Sequence, residues 1–360
     1  MGILKRGTAT DFRGFARRVG KLPRKSVAVP FFLFLQAVLP APAIETDQYY
    51  AWGRTIRDST DVLNARVNAG IEDVLAEINA GAHRDRCTCE DVVGRIVSRF
   101  RYLLFWRPEL WAMNTSLVDR VPSTPEEELR YREEYLYAHT SPWDTVRRMP
   151  PSPTIEAAGV RFGTDKLTHF LSEGYLQHRW RSGYARKGLA PAEAELRAIR
   201  RGMLVERTVL GMTSSGVFSP ADLEANYAGM RFYDGLCDEA SPALRKTDLG
   251  WRLDRPLDLR EWVTPEWDES WQPNVYTARR WRRLQPALRE YCPLLDDPAV
   301  RARREAYRAR DSETPSERVL ADFARRRKLP DPAMFSIERV CENRGNSGPA
   351  TDRNRLPSPN

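Results

Sequence analysis

The sequence predicts an all-α protein: a multi-helix bundle core followed by an irregular Trp- and Pro-rich C-terminal arm. Three features of the 360 residues predict it. Apolar residues recur at the spacing of one helix face through segments 58–80, 90–106 and 165–236. Helix-starting residues stand at the right places, as at Pro191 and Ser219-Pro220. Beyond Cys237 the periodicity fades, and Trp, Pro and Asp crowd residues 248–276.

Residues 1–43 read as an export signal. Arg17, Arg18, Lys21, Arg24 and Lys25 precede the apolar run Val27 to Leu39, and Ala41-Pro42-Ala43 supplies small residues at a cleavage site. The apolar run is short for a bilayer span. The protein is therefore expected to be exported, periplasmic or secreted. This leader carries net charge +7 of the chain's +8, which leaves the rest at about +1. The basic pI belongs to the leader, and nucleic acid is not an expected partner.

Residues 44–150 form an expected N-terminal helical region. An aromatic lead-in occupies 44–57. Asp58 to Ala80 is an amphipathic helix with Val67, Ile71, Val74, Leu75 and Ile78 on its inner face. After a loop over Gly81 to Cys89, a second helix runs from Glu90 to Trp106, with Val93, Ile96, Val97, Phe100 and Leu104 inward. The aromatic residues near its end, among them Tyr102, Phe105 and Trp111, suit packing. Pro122 to Pro125 is a turn. A charged helix follows from Glu126 to His139, where His139 suits a C-terminal capping role. The run Met149-Pro150-Pro151-Ser152-Pro153 marks a boundary.

Residues 151–237 carry the most chemistry, on three successive helices. At 100° per residue, Asp165, His169 and Glu173 share one side of the first, and Leu167, Phe170 and Leu171 the other. Leu176 and Trp180 join the polar side, so both sides should be covered and the polar stripe desolvated. On the second helix, Glu206 interrupts the apolar stripe of Leu196, Ile199, Met203 and Leu210. A carboxylate there needs a partner or a raised pKa, and Lys166 and His169 are candidate partners. Gly202 on the same face permits close approach. Gly211 ends that helix, and Ser219 and Pro220 start the third, whose inner face is Leu223, Asn226, Tyr227 and Met230.

Taken together, Asp165-Lys166-x-x-His169-Phe170, the internal Glu206, and Ser219-Pro220-Ala221-Asp222-Leu223-Glu224-Ala225-Asn226 resemble the signature of the YfiM-like periplasmic lipoproteins. More distantly, they resemble the VanZ-like membrane proteins. The resemblance covers roughly residues 160–235. It implies a cell-envelope location and a helical core with Asp165, Lys166, His169, Glu206, Asp222 and Asn226 as signature positions. The chain has no lipobox cysteine, so lipid anchoring is not expected, nor is embedding in the membrane.

The residues admit several chemistries. Asp165 and His169, one helical turn apart, can reach a single divalent ion of the zinc, manganese or iron type, with Glu206 and then Asp222 or Asn226 completing the shell. Without a metal, Glu206 could serve as a base, with His169 as its partner and Asp165 orienting it. The Ser214-Ser215 loop lacks the elbow of a serine nucleophile. Equally, the group could be structural: Asp165 against a helix dipole, Asp222 in a capping arrangement, and Lys166 or His169 neutralising Glu206. Lys166, Glu173, Asp222 and Asn226 are the candidate ligand-binding residues. The reading is an exported, envelope-associated helical protein whose buried Asp/His/Glu cluster organises the core and can bind an ion or ligand. The alternative is a hydrolase of an envelope lipid or polymer.

Residues 238–342 comprise the arm and Arg-rich helices. Asp268 and Glu269 suit turn caps or acid–base groups. Residues 277–328 are helical, and Arg279, Arg280, Arg282 and Arg283 form either a solvated face or a contact for an anionic membrane surface. Residues 343–360 read as a disordered tail. The five cysteines, Cys87, Cys89, Cys237, Cys292 and Cys341, suit disulfides in an oxidising compartment. Cys87 and Cys89 should not pair with each other. One of them should reach Cys237 or Cys292, and one thiol is left over. A zinc site there is a weaker reading.

Overall fold

Helix α1 (Thr60–Ala80) buries Leu63, Val67, Ile71, Val74, Leu75 and Ile78 along one side, the face its periodicity prescribes. The computed structural model describes residues 46–82, 84–102, 105–138, 151–210, 212, 216–310, 313–326 and 328–342. They fall within one compact unit, Pro40–Asn360. The export signal, His83, His139, the Met149-Pro150 part of the expected boundary, Gly211, Ser214-Ser215 and the tail lie outside the described residues.

The fold is mostly helical but not all-α: short antiparallel sheets stand between the helices. Helix α2 (Cys89–Phe100) stops before the expected Trp106, and a hairpin of β1 (Arg101–Tyr102) and β2 (Phe105–Trp106) follows. Aromatic residues serve a strand as well as a helix face, so periodicity alone could not place this end. Phe100 is the last buried residue of α2. Its ring fills the space over Gly70 of α1, where a Cβ would come within 2.5 Å of it.

Helix α3 (Arg107–Asn114) precedes a three-stranded sheet of β3 (Arg120–Val121), β4 (Thr154–Ala157) and β5 (Val160–Gly163). Helix α4 (Pro125–Glu134) lies between β3 and β4 in sequence and is shorter than expected. Ala158 and Gly159 both take positive φ, 53° and 70°, and make the two-residue connection between β4 and β5. Strands this short cannot write a legible alternation, which is why the sequence concealed them.

Three rods follow. Asp165–Thr168, the π-helical turn His169–Glu173 and Gly174–Ala185 form α5. Pro191–Val205 and a second π turn, Glu206–Leu210, form α6. Strand β6 (Val217–Phe218) leads to α7 (Pro220–Leu236), which is buried almost all round. Leu223 and Met230 of α7 belong to one apolar cluster with Ile199 and Met203 of α6. Phe232, Tyr233 and Leu236 belong to another, with α1, α2, β5 and α5. Such a helix is a central strut rather than a surface one. Glycines set its distance from α5: a Cβ on Gly229 would lie 1.9 Å from the Phe170 carbonyl oxygen, and one on Gly174 would lie 2.6 Å from Gly229 Cα.

The arm is irregular, yet it contains a hairpin of β7 (Leu244–Thr247) and β8 (Gly250–Leu253), while β9 (Val275–Tyr276) pairs with β6. Side-chain amides on α1 satisfy its backbone, as buried or partly buried peptide groups require. Asn79 both donates to the Trp251 carbonyl and accepts from its N–H, at 2.8 and 2.7 Å. Asn68 does the same at Leu257, and Asn64 accepts from the Leu259 N–H. Helices α8 (Ala278–Glu290), α9 (Pro298–Arg308), α10 (Pro315–Arg325) and α11 (Ile337–Glu342) close the described chain.

Disulfides join Cys89 to Cys237 and Cys292 to Cys341, while Cys87 is reduced and buried. Disulfides of this kind suit an oxidising compartment. Among the described residues no helix is long and apolar enough to cross a membrane.

Candidate functional site

The site forms where the start of α5, the start of α7 and the arm meet. Gly163 ends β5 directly before it, and a Cβ there would collide with Thr46 Oγ1 and Asp165 Oδ1. The π turn in α5 closes with the Gly174 N–H bonded to the His169 carbonyl. Such a turn inserts one residue into the helical repeat and re-aims the side chains around it. On α7, Ser219 is the N-cap: its Oγ accepts from the Asp222 N–H at 3.2 Å. Asp222 and Asn226 then follow one turn apart on the buried surface.

Lys166 is the charged centre of the group and is fully buried. Its Nζ lies 2.7 Å from Asp165 Oδ2, 2.6 Å from Asp222 Oδ1 and 2.5 Å from Glu269 Oε1. Burial opposes its charge, but the three carboxylates outweigh burial and hold its pKa well above the ordinary value. The carboxylates are shared onward. Thr46 Oγ1 donates to Asp165 at 3.0 Å. Ser219 Oγ and Asn274 Nδ2 donate to Glu269 at 3.2 and 3.0 Å. Burial raises the Glu269 pKa to about 7 even against Lys166, with Asp165 and Asp222 adding to the rise. Burial also resists the charge on Asp222, yet His169 and Lys166 together hold its carboxyl below the usual range.

His169 faces two partners. Its Nδ1 is 3.1 Å from Asn226 Oδ1, and its Nε2 is 3.3 Å from Asp222 Oδ2. With the amide oxygen turned to it, Nδ1 carries a proton and donates. Nε2 then faces a carboxylate either as a second N–H or as a lone pair with a cation between. Asp165, His169 and Asp222 each bring one ligand atom to within 4.8 Å of the others, and all three are buried. This group could hold a metal ion. Its nitrogen–oxygen donor set suits a divalent transition metal. Asn226, Thr46 and Lys166 would act as outer partners that fix the ligands' orientation.

The sequence-expected residues are therefore divided. Asp165, Lys166, His169, Asp222 and Asn226 come together. Asp222 stands in the converging metal group where Glu206 was expected. Glu206 is buried, and with Glu173 and Asn226 it lines a small neighbouring cavity between α5 and α6. Of the two partners expected for it, Lys166 is engaged by three other acids, and His169 faces Asn226 and Asp222. Burial, joined by the charge of Asp222, pushes the Glu173 carboxyl well above its ordinary range.

Two further acids stand at the site, Glu269, which the sequence offered as an alternative to a turn cap, and Glu109, which it did not offer. Glu269 lay in the arm, where a turn cap was the commoner use. Its setting among Trp267, Trp271 and Asn274 was the one sequence signal of burial. Glu109 of α3 accepts a hydrogen bond from Thr168 Oγ1, and burial raises its pKa to about 8. Its apolar and aromatic neighbours, Trp106, Leu110 and Trp111, were the sequence signal of that burial. Asp268, by contrast, does cap a turn: it accepts from the Ser270 N–H at 2.8 Å, and Tyr307 donates to it at 3.1 Å.

The fold and site thus define a disulfide-bearing, mostly helical protein with a buried carboxylate–imidazole group able to hold a metal. Comparison with known protein families, curated proteins and solved structures finds no match to this chain.

Proposed function

We propose that this chain is an exported, cell-envelope-associated protein of the YfiM-like type that holds a divalent metal ion between Asp165, His169 and Asp222. The convergence of those three buried ligand atoms within 4.8 Å carries the reading. The disulfides support export. The order of signature residues along α5, α6 and α7 supports the family likeness. Arg279, Arg282 and Arg283 are exposed on α8 and suit contact with an anionic envelope surface.

Metal analysis of protein purified from an exporting host tests this. About one zinc, manganese or iron per chain is expected, lost in His169→Ala and Asp222→Asn with helical content retained. Protein that stays metal-free after reconstitution with each of the three ions would overturn the reading.

Hydrolysis of an envelope lipid or polymer is a second reading. One observation favours it: a water-sized cavity lined by Glu173 and Glu206 adjoins the metal group through Asn226. In that case Glu206→Gln abolishes hydrolysis of an envelope-type ester or phosphoester and leaves the fold intact. Activity unaffected by Glu206→Gln would exclude it.

A further inference from the structure

The outward face of α6 gathers positive charge. Arg197, Arg200, Arg201 and Leu204 are exposed and fall within an arc of about 100°, while Ala198, Ile199 and Met203 line the buried side. Residues 179–207 carry eight Arg or Lys against three Glu, although the chain beyond residue 43 is close to neutral. Those three acids do not offset the face. Glu193 pairs with Arg197 at 2.9 Å, Glu195 pairs with Arg231 of α7 at 3.2 Å, and Glu206 is buried. Arg200 and Arg201 have no carboxylate partner among the described residues. Leu204 stands between them in the arc and is 52% exposed. Trp180 of α5 is half-buried, with the Arg201 guanidinium 4.5 Å from its ring centre. Exposed guanidinium groups around an open leucine, with an indole under one of them, make the composition of an interfacial helix. A protein partner fits less well, because charged residues are depleted from the centres of protein interfaces.

We propose that this face of α6 docks on a bilayer of anionic phospholipid. Arg200 and Arg201 take lipid phosphates through the paired N–H donors of their guanidinium groups. Leu204 enters the boundary between headgroups and acyl chains, and α6 lies in the plane of the interface. Charge brings the face to the bilayer, and burial of the leucine holds it there. This inference rests on the envelope association proposed above, for which it names the surface and the partner, and it is independent of the metal.

Vesicle sedimentation of protein purified from an exporting host tests it, with phosphatidylcholine vesicles that contain or lack phosphatidylglycerol. Binding is expected only where phosphatidylglycerol is present. The double change Arg200→Ala, Arg201→Ala should weaken it by at least about tenfold. An environment-sensitive dye attached at Leu204→Cys should brighten and shift to the blue on the same vesicles. Cys87 is buried and the other four cysteines are in disulfides, so the dye goes to position 204. Binding weakened by the triple change Arg279→Ala, Arg282→Ala, Arg283→Ala but not by the α6 pair would overturn the proposal and leave envelope association standing. No binding to either vesicle would overturn both. Equal binding to the two vesicles, or binding with the dye unchanged, would also reject this face as the one that docks.

Discussion

Lys166 and Glu269 are 103 positions apart in sequence, and their charged atoms lie 2.5 Å apart in the protein interior. The same ammonium also holds Asp165 and Asp222, so one cation ties the arm to two helices. A buried ion pair gives little net stability over an apolar replacement, but removing one partner strands the others. Lys166→Met is expected to destabilise the fold by about 3–5 kcal/mol, read from the urea midpoint. Adding Glu269→Gln should recover part of that loss. A midpoint unchanged in Lys166→Met would contradict the network.

Stability should depend on pH in a defined direction. Burial raises Glu109 to about 8, Glu269 to about 7 and Glu224 to about 7. Folded protein therefore binds protons that the unfolded chain releases above its ordinary carboxylate range. Their contribution is full below that range and is lost as pH rises through 7 and 8. Asp222 works the other way: its carboxyl is held low, so its contribution is lost in strong acid. Metal-stripped protein should melt highest in mild acid and lose Tm between pH 5 and 8. Glu109→Gln should flatten that decline, and a Tm that climbs toward pH 8 would refute the assignment.

Gly229 and Phe170 leave no room for a methyl group, since the added Cβ would lie 1.9 Å from a backbone oxygen. Gly229→Ala should cost about 3 kcal/mol through displacement of α7 from α5. Gly94 on α2 is the control, with nothing within 4 Å of its would-be Cβ. Gly94→Ala should stabilise by up to about 1 kcal/mol through helix propensity alone. Chemical denaturation of both variants checks the contrast.

Thiol chemistry should single out Cys87. Unfolded without reductant and treated with an alkylating reagent, the described chain should take one label, at Cys87. Peptide mass mapping should find Cys89 joined to Cys237 and Cys292 to Cys341. Replacing the Cys89–Cys237 pair by alanines frees a span of 148 positions, with an expected cost of about 4–5 kcal/mol from chain entropy. Labels at any of those four cysteines would disprove the pairing.

Much of the helical frame was legible because it is written locally. The inner face of α1, the Ser219-Pro220 start of α7 and the Arg-rich helices after residue 277 each follow from spacing and capping within a few turns. The polar stripe Asp165, His169 and Glu173 was legible for the same reason, as was the burial of Glu206 and Asn226 within apolar faces. The short strands were not, because two to four residues carry too little pattern, and the early end of α2 was masked by aromatic residues that suit either state.

The sequence by itself determined which side chains would be buried at a cost: an acid, an imidazole and an amide placed among apolar neighbours on their own helices. Only the tertiary structure decided how those costs are met. It gave Lys166 to Asp165, Asp222 and the distant Glu269, put Asp222 rather than Glu206 beside His169, and left Glu206 and Glu173 to line a separate cavity. Burial follows from periodicity along one segment. Charge pairing depends on distances between segments, and no local pattern encodes those.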